Sequence, residues 1–205
     1  MQAKSFEACS HIDTSQTVAM STSISNESLV TLSHAIDATT LSALANFPPL
    51  LEAHYAAIPP DFKNWAPASW EGVPSEAFTP IEQICHVRDI EIDGYHVRFQ
   101  RTLNESNPTL VSIDSEILAK KRSYATSSTA EVFAVFRAAR TKTIELISAL
   151  SAEQLARTAV FEGYGVLSLR SLVHYLCSHD QQHLAGLQWL LGKIEASRYP
   201  VKDGD

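Results

Sequence analysis

The sequence predicts an all-α protein, a single four-helix bundle. Three observations predict it. Apolar residues recur at helical spacing along the long segments, good N-caps stand before three of them, and 205 residues suit one core rather than two.

Residues 1–38 are rich in Ser and Thr and carry no sustained apolar period. The run Ser21-Thr22-Ser23-Ile24-Ser25-Asn26-Glu27 reads as a flexible extension, and Met20 offers an alternative start. A short amphipathic piece from Leu29 to Ile36 is a candidate for docking on the bundle. The bundle itself is expected over 39–195, with a loose polar tail over 196–205.

The first helix is expected from about Leu41 to Ala57, kinked or broken at Pro48-Pro49 and ended by Pro59-Pro60. A loop with Trp65, Pro67, Trp70 and Pro74 then covers one end of the core. The second helix opens on Thr79 as N-cap, with Pro80 at the first helical position and Glu82 completing a capping box. It should run to about Leu103, with Ile81, Ile84, Cys85, Ile92, Tyr95 and Phe99 on one broad face. The stretch from Asn104 to Ser127 reads mostly as loop. Ser128, with Glu131 three residues on, opens a third helix to about Leu150, and Ser151 caps a short turn. Gly163 and Gly165 around Tyr164 predict a tight turn or small hairpin. Ser168 caps the last helix, whose stripe is Leu169, Leu172, Val173, Leu176, Leu187, Leu190, Leu191 and Ile194.

Composition narrows function. The chain is 45% hydrophobic and 19% charged, as globular proteins are. Its net charge is −7 and no predicted helix clusters Lys and Arg, which argues against a nucleic-acid or anionic-membrane partner. No apolar run approaches membrane-spanning length, and no signal-peptide core follows Lys4. Three cysteines without Cys-x-x-Cys spacing fit a reducing compartment, so a cytoplasmic location is expected.

His179 and His183 stand four apart on the last helix. That spacing turns a side chain by only about 40° and advances it one turn, so both imidazoles can reach one point. His183 falls inside the apolar stripe and His179 at its edge. A buried imidazole needs a partner, and imidazole nitrogen is a good ligand for divalent first-row metals. By itself the pair is a weak signal, and more often marks two unrelated histidines or one core histidine satisfied by a hydrogen bond. His86 lies at the border of the apolar face of the second helix, beside a row of Glu82, Asp89 and Asp93, where it could look across a groove.

Two local sequences then suggest a family. Cys85-His86-Val87-Arg88-Asp89-Ile90-Glu91 resembles the first histidine motif of DinB-like proteins, and Ser178-His179-Asp180-Gln181-Gln182-His183-Leu184 resembles the second. Phe47-Pro48-Pro49-Leu50-Leu51 resembles the family's opening helix, and Ala152-Glu153-Gln154-Leu155 the segment after its third. The resemblance spans roughly residues 40–195. It implies a DinB-like bundle in which His86, His179 and His183 bind a divalent metal ion (zinc, nickel or iron) and leave positions open for water.

The resemblance further implies a metal-dependent enzyme that activates water or a low-molecular-weight thiol against a small electrophilic substrate, and a homodimer. A stress-related binding module with a purely structural metal is the alternative. Asp89 and Asp93 are candidate acceptors for a ligand's ring N–H. Glu91 points about 140° away from His86, and all three carboxylates also read as a solvated face. Cys85 reads as a buried structural thiol, and His174 as facing solvent. His54 and His96 have no partner at a useful spacing, and His11 and His34 lie in the extension.

Overall fold

The computed structural model describes residues 35–199. The expected extension up to His34, with Met20, Cys9 and His11, and the tail beyond Tyr199 lie outside the described residues. Helix α1 spans Ala38–Ala57 and is capped by Asp37, whose carboxylate accepts from the Thr40 backbone N–H at 2.8 Å. The cap lies inside the segment assigned to the extension. Pro48 and Pro49 sit within α1 without ending it. The cost of a mid-helix proline is a carbonyl left without its donor one turn back. Here that carbonyl, Leu44 O, accepts from Arg140 Nη1 at 3.0 Å, so the expected break does not occur.

The second helical segment is one rod of three pieces: α2 (Pro80–Asp89), a π-helical stretch (Ile90–His96) and α3 (Val97–Asn104). Its capping box forms as the sequence predicts, with the Thr79 backbone N–H donating to Glu82 at 2.9 Å. The segment read as loop contains strand β1 (Thr109–Leu110) and helix α4 (Ser115–Lys121), which is capped by Asp114. Helix α5 (Thr129–Ser148) starts at the Ser128 cap, and α6 (Ala152–Ala156) follows from a Ser151 capping box. The hairpin of β2 (Thr158–Phe161) and β3 (Gly165–Ser168) turns through Gly163 and Gly165, both near φ +80°. β1 pairs parallel to β2, giving a three-stranded sheet beside the bundle. Helix α7 (Leu169–Ser197) closes the fold.

α1 packs on α5 and α7, and the rod packs on the same two helices, so α1 and the rod lie diagonally across the bundle. The long connection over 58–79 makes that diagonal step possible. Trp70 in this connection stacks on Trp189 of α7 at 6.0 Å, which anchors the loop to that helix. The core divides into two apolar clusters, one around Leu44, Phe99 and Leu172, the other around Phe47, Ile84 and Phe136. No described helix is long and apolar enough to cross a membrane.

Candidate metal centre

A helix with two neighbours has two buried faces, and this decides what the polar residues of the rod do. His86 faces α7 and Glu91 faces α5, and both are about 1% exposed. They stand on the two packed faces of the rod, so Glu91 is buried rather than solvated. Arg140 of α5 meets it with Nε–Oε1 at 3.0 Å and Nη2–Oε2 at 2.9 Å. The same guanidinium reaches Asp180 of α7 at 2.6 and 3.0 Å, and Leu44 O of α1. All five guanidinium N–H donors are thus used, and one side chain ties four helical segments together.

Asp89 is buried as well, against the segment over 115–127. It accepts from Tyr124 Oη at 2.6 Å and pairs with Arg88 at 2.7 Å and Arg122 at 2.8 Å. Asp93 also pairs with Arg122, at 2.7 Å. Neither aspartate touches a histidine among the described contacts, so the expectation that they orient a ligand ring is corrected. Cys85 is fully buried and its thiol is pushed up by burial, in keeping with a structural role. His174 is exposed.

The three histidines singled out in the sequence meet. His179 Nε2 lies 3.2 Å from His86 Nε2 and 3.1 Å from His183 Nε2. A fourth group, unread in the sequence, joins them. Glu76, from the loop before α2, places Oε1 3.4 Å from His86 Nε2 and Oε2 3.2 Å from His183 Nε2. The donor atoms of all four lie within 4.8 Å of one another.

Gln83 orients this set. Its Nε2 donates to Ser75 Oγ at 2.9 Å and to the carbonyls of Glu76 at 2.9 Å and Phe78 at 3.3 Å. That fixes the amide, so Oε1 accepts from His183 Nδ1–H. Gln83 therefore ties the loop carrying Glu76 to the ring of His183. Gly186 lets the loop approach, since a Cβ there would collide with Ser75 Oγ.

With its proton on Nδ1, a neutral His183 turns a bare Nε2 toward Glu76 and toward His179. Burial, followed by the positive fields of the other two histidines, holds His179 well below the ordinary histidine value. Burial likewise lowers His183, against the pull of Glu76. Burial would raise the Glu76 carboxyl, but its contacts with His183 and His86 outweigh that and keep it ionised. The bare Nε2 of His183 and the Glu76 carboxylate thus meet at contact distance, with the Nε2 atoms of His86 and His179 beside them. Ligand atoms about 2.0–2.1 Å from a common ion sit about 3–3.4 Å apart, so a divalent cation fits this donor set. Nitrogen and carboxylate donors together suit a divalent first-row metal.

The site is open on one side. Glu76, His86 and His179 line a cleft of roughly 270 Å³, with Tyr95, Ser178 and Gln182 among the other walls. Glu76 is its exposed member, with a side chain 40% accessible. Burial raises the Tyr95 hydroxyl well above the usual tyrosine value, so it stays a neutral donor.

The family profile described as DinB superfamily matches residues 40–187. Among solved structures, the chain is similar to YfiT from Bacillus subtilis, described as a probable metal-dependent hydrolase with an unusual four-helix bundle topology. The likeness has a TM-score of 0.67 at 18% identity, covering 85% of this chain and 91% of that one. No curated protein matches the sequence.

Proposed function

This chain belongs to the DinB superfamily, and from that premise we propose that it is a metal-dependent enzyme acting on a small molecule. His86, His179 and His183 hold one divalent cation, and Glu76 is the proton acceptor beside it. One observation carries this reading: four donor atoms from three separate segments converge on the wall of a cleft. A divalent ion held there supplies Lewis acidity toward water, a low-molecular-weight thiol or a carbonyl. The description of YfiT as a probable hydrolase supports water as the nucleophile.

The chain's own residues do the rest. The imidazoles stand on rigid helices, and Gln83 sets the tautomer of His183. Glu76 stands on a loop, ionised and open to the cleft, where it can take a proton from a nucleophile. Tyr95 and the polar wall residues orient the substrate.

A second reading has its own support. The Glu76 oxygens lie nearly as close to the imidazole nitrogens as those nitrogens lie to each other, 3.2–3.4 Å against 3.1–3.2 Å. Glu76 could then be a fourth ligand, with the metal only bracing the bundle. Elemental analysis of purified wild type beside His86→Ala, His179→Ala, His183→Ala and Glu76→Gln separates the two. We expect the histidine variants to lose the ion and Glu76→Gln to keep it. Equal loading of wild type and all three histidine variants overturns the site. A Glu76→Gln variant as empty as the histidine variants establishes the brace.

A further inference from the structure

Arg98 is the feature that the metal centre does not explain. It stands on α3, is 7% exposed, and lines the same cleft as Glu76, His86 and His179. Buried arginines are ordinarily paired, because an isolated buried charge is costly. Arg140 shows the ordinary case in this very molecule. Among the described residues no carboxylate pairs with Arg98, and its buried Nε has no hydrogen-bond partner.

The guanidinium is held by rings instead. Its Cζ lies 4.4 Å from the centre of Phe161 and 5.1 Å from that of Tyr95. Gly94, one turn earlier, leaves it room, for a Cβ there would lie 3.1 Å from Nη1. Glycine in a helix is unfavourable, and here it gives space to a cation with no anion of its own. Tyr95 also reaches toward the metal centre, its ring 6.2 Å from that of His179. The guanidinium is therefore no farther from the His179 ring than those two Tyr95 distances combined.

We infer that Arg98 is the anchor for a carboxylate on the cleft's ligand, which extends from the guanidinium to the three-histidine centre. The inference rests on the reading of the cleft as a substrate site and adds the substrate's class, a small carboxylic acid. A planar fork of N–H donors matches a carboxylate in two-pronged fashion. Carboxylate is favoured over phosphate because one planar guanidinium fork meets both coplanar oxygens of a carboxylate, whereas a tetrahedral phosphate leaves further charged oxygens unmet. The cleft is also smaller than those that take drug-sized ligands.

The test is ligand-detected NMR on full-length protein, with succinate, its neutral diamide and inorganic phosphate as probes. Wild type, Arg98→Lys and Arg98→Met are compared after chelator treatment, so that a carboxylate cannot be held by a metal. Succinate should bind saturably to wild type at millimolar concentration, and the diamide should not. Arg98→Met should weaken succinate at least tenfold, while Arg98→Lys, which keeps the charge without the fork, should fall between. The melting temperature of ligand-free Arg98→Met should equal or exceed that of wild type, because an unpaired buried charge has been removed.

Absence of succinate binding, equal affinity for the diamide, or unchanged affinity in Arg98→Met overturns the inference. Tighter binding of phosphate than succinate overturns the carboxylate assignment. These readouts are independent of metal loading, so a failed metal centre shows in elemental analysis and leaves this result intact.

Discussion

Two buried polar clusters lie next to each other in this protein, joined through consecutive residues of α7. His179 belongs to one and Asp180 to the other. The Arg140 cluster is closed: five donors meet five acceptors, and no part of it lines the cleft beside the histidines. The histidine cluster is the opposite. Its potential ligand atoms crowd within 4.8 Å of one another, and among the described residues the Nδ1 atoms of His86 and His179 have no partner. Satisfaction marks the first as part of the scaffold. Convergence of potential ligand atoms on a cleft marks the second as a place for something else to bind.

That contrast can be broken most forcefully at Arg140. Replacing it by Met leaves two carboxylates buried together without a counter-charge, and a broken buried pair costs about 3–5 kcal/mol. It also strips Leu44 O of the donor that makes Pro48 tolerable inside α1. Arg140→Met should therefore lower the unfolding free energy by that amount in urea titration. Arg140→Lys should recover little, because an ammonium has three donors and no fork. A change under about 1 kcal/mol would mean that the cluster is not the structural tie described.

The histidine cluster responds to a subtler change. Gln83→Leu keeps the volume and removes the acceptor that fixes the His183 tautomer. Loss of such an orienting partner typically costs 10–100-fold in metal affinity. We expect that loss for zinc in a competition titration with a chromophoric chelator, with the ion still bound at saturation. Unchanged affinity would show that Gln83 serves only to hold the loop.

Much of this contrast was legible in the sequence, though unevenly. His179 and His183 share a helix, so fixed geometry relates them, and their meeting with His86 needed only a bundle that puts the rod beside α7. The caps at Thr79, Ser128, Ser151 and Ser168 are local chemistry and appear where expected. Glu76 was not legible, because no periodicity governs where a loop carboxylate ends up. Its one faint signal is its place just before the start of the helix that bears His86. Gln83 shares a helix face with His86 at i, i+3, a spacing that polar surface residues also show. The solvated-face reading of Asp89 and Glu91 failed because the rod packs on two helices and is further covered by residues 115–127. A sequence wheel with a single apolar arc hides that. Pro48 and Pro49 misled for a related reason, since the donor that replaces the lost helical hydrogen bond comes from residue 140.

Asp89 falls between the two clusters and tests the contrast at its weakest point. It is buried like Glu91, but one of its partners, Arg122, is about two-fifths exposed. Burial would raise its carboxyl, yet the hydrogen bonds from Arg88, Tyr124 and Arg122 prevail and hold it below the usual 3.8. The sign follows from linkage. A carboxyl that is more acidic in the folded than in the unfolded chain contributes stability above the unfolded value. That contribution is lost as the pH falls through the folded value.

Asp89→Asn should therefore be less stable than wild type at pH 7 by about 1 kcal/mol, a modest figure because solvent reaches Arg122. The gap should narrow as the pH drops below about 4. Urea titrations of the two proteins at a series of pH values read this directly. A gap that stays constant down to pH 2 would mean that Asp89 contributes shape rather than charge. Asp89 would then belong with the scaffold in a way that even Arg140 does not.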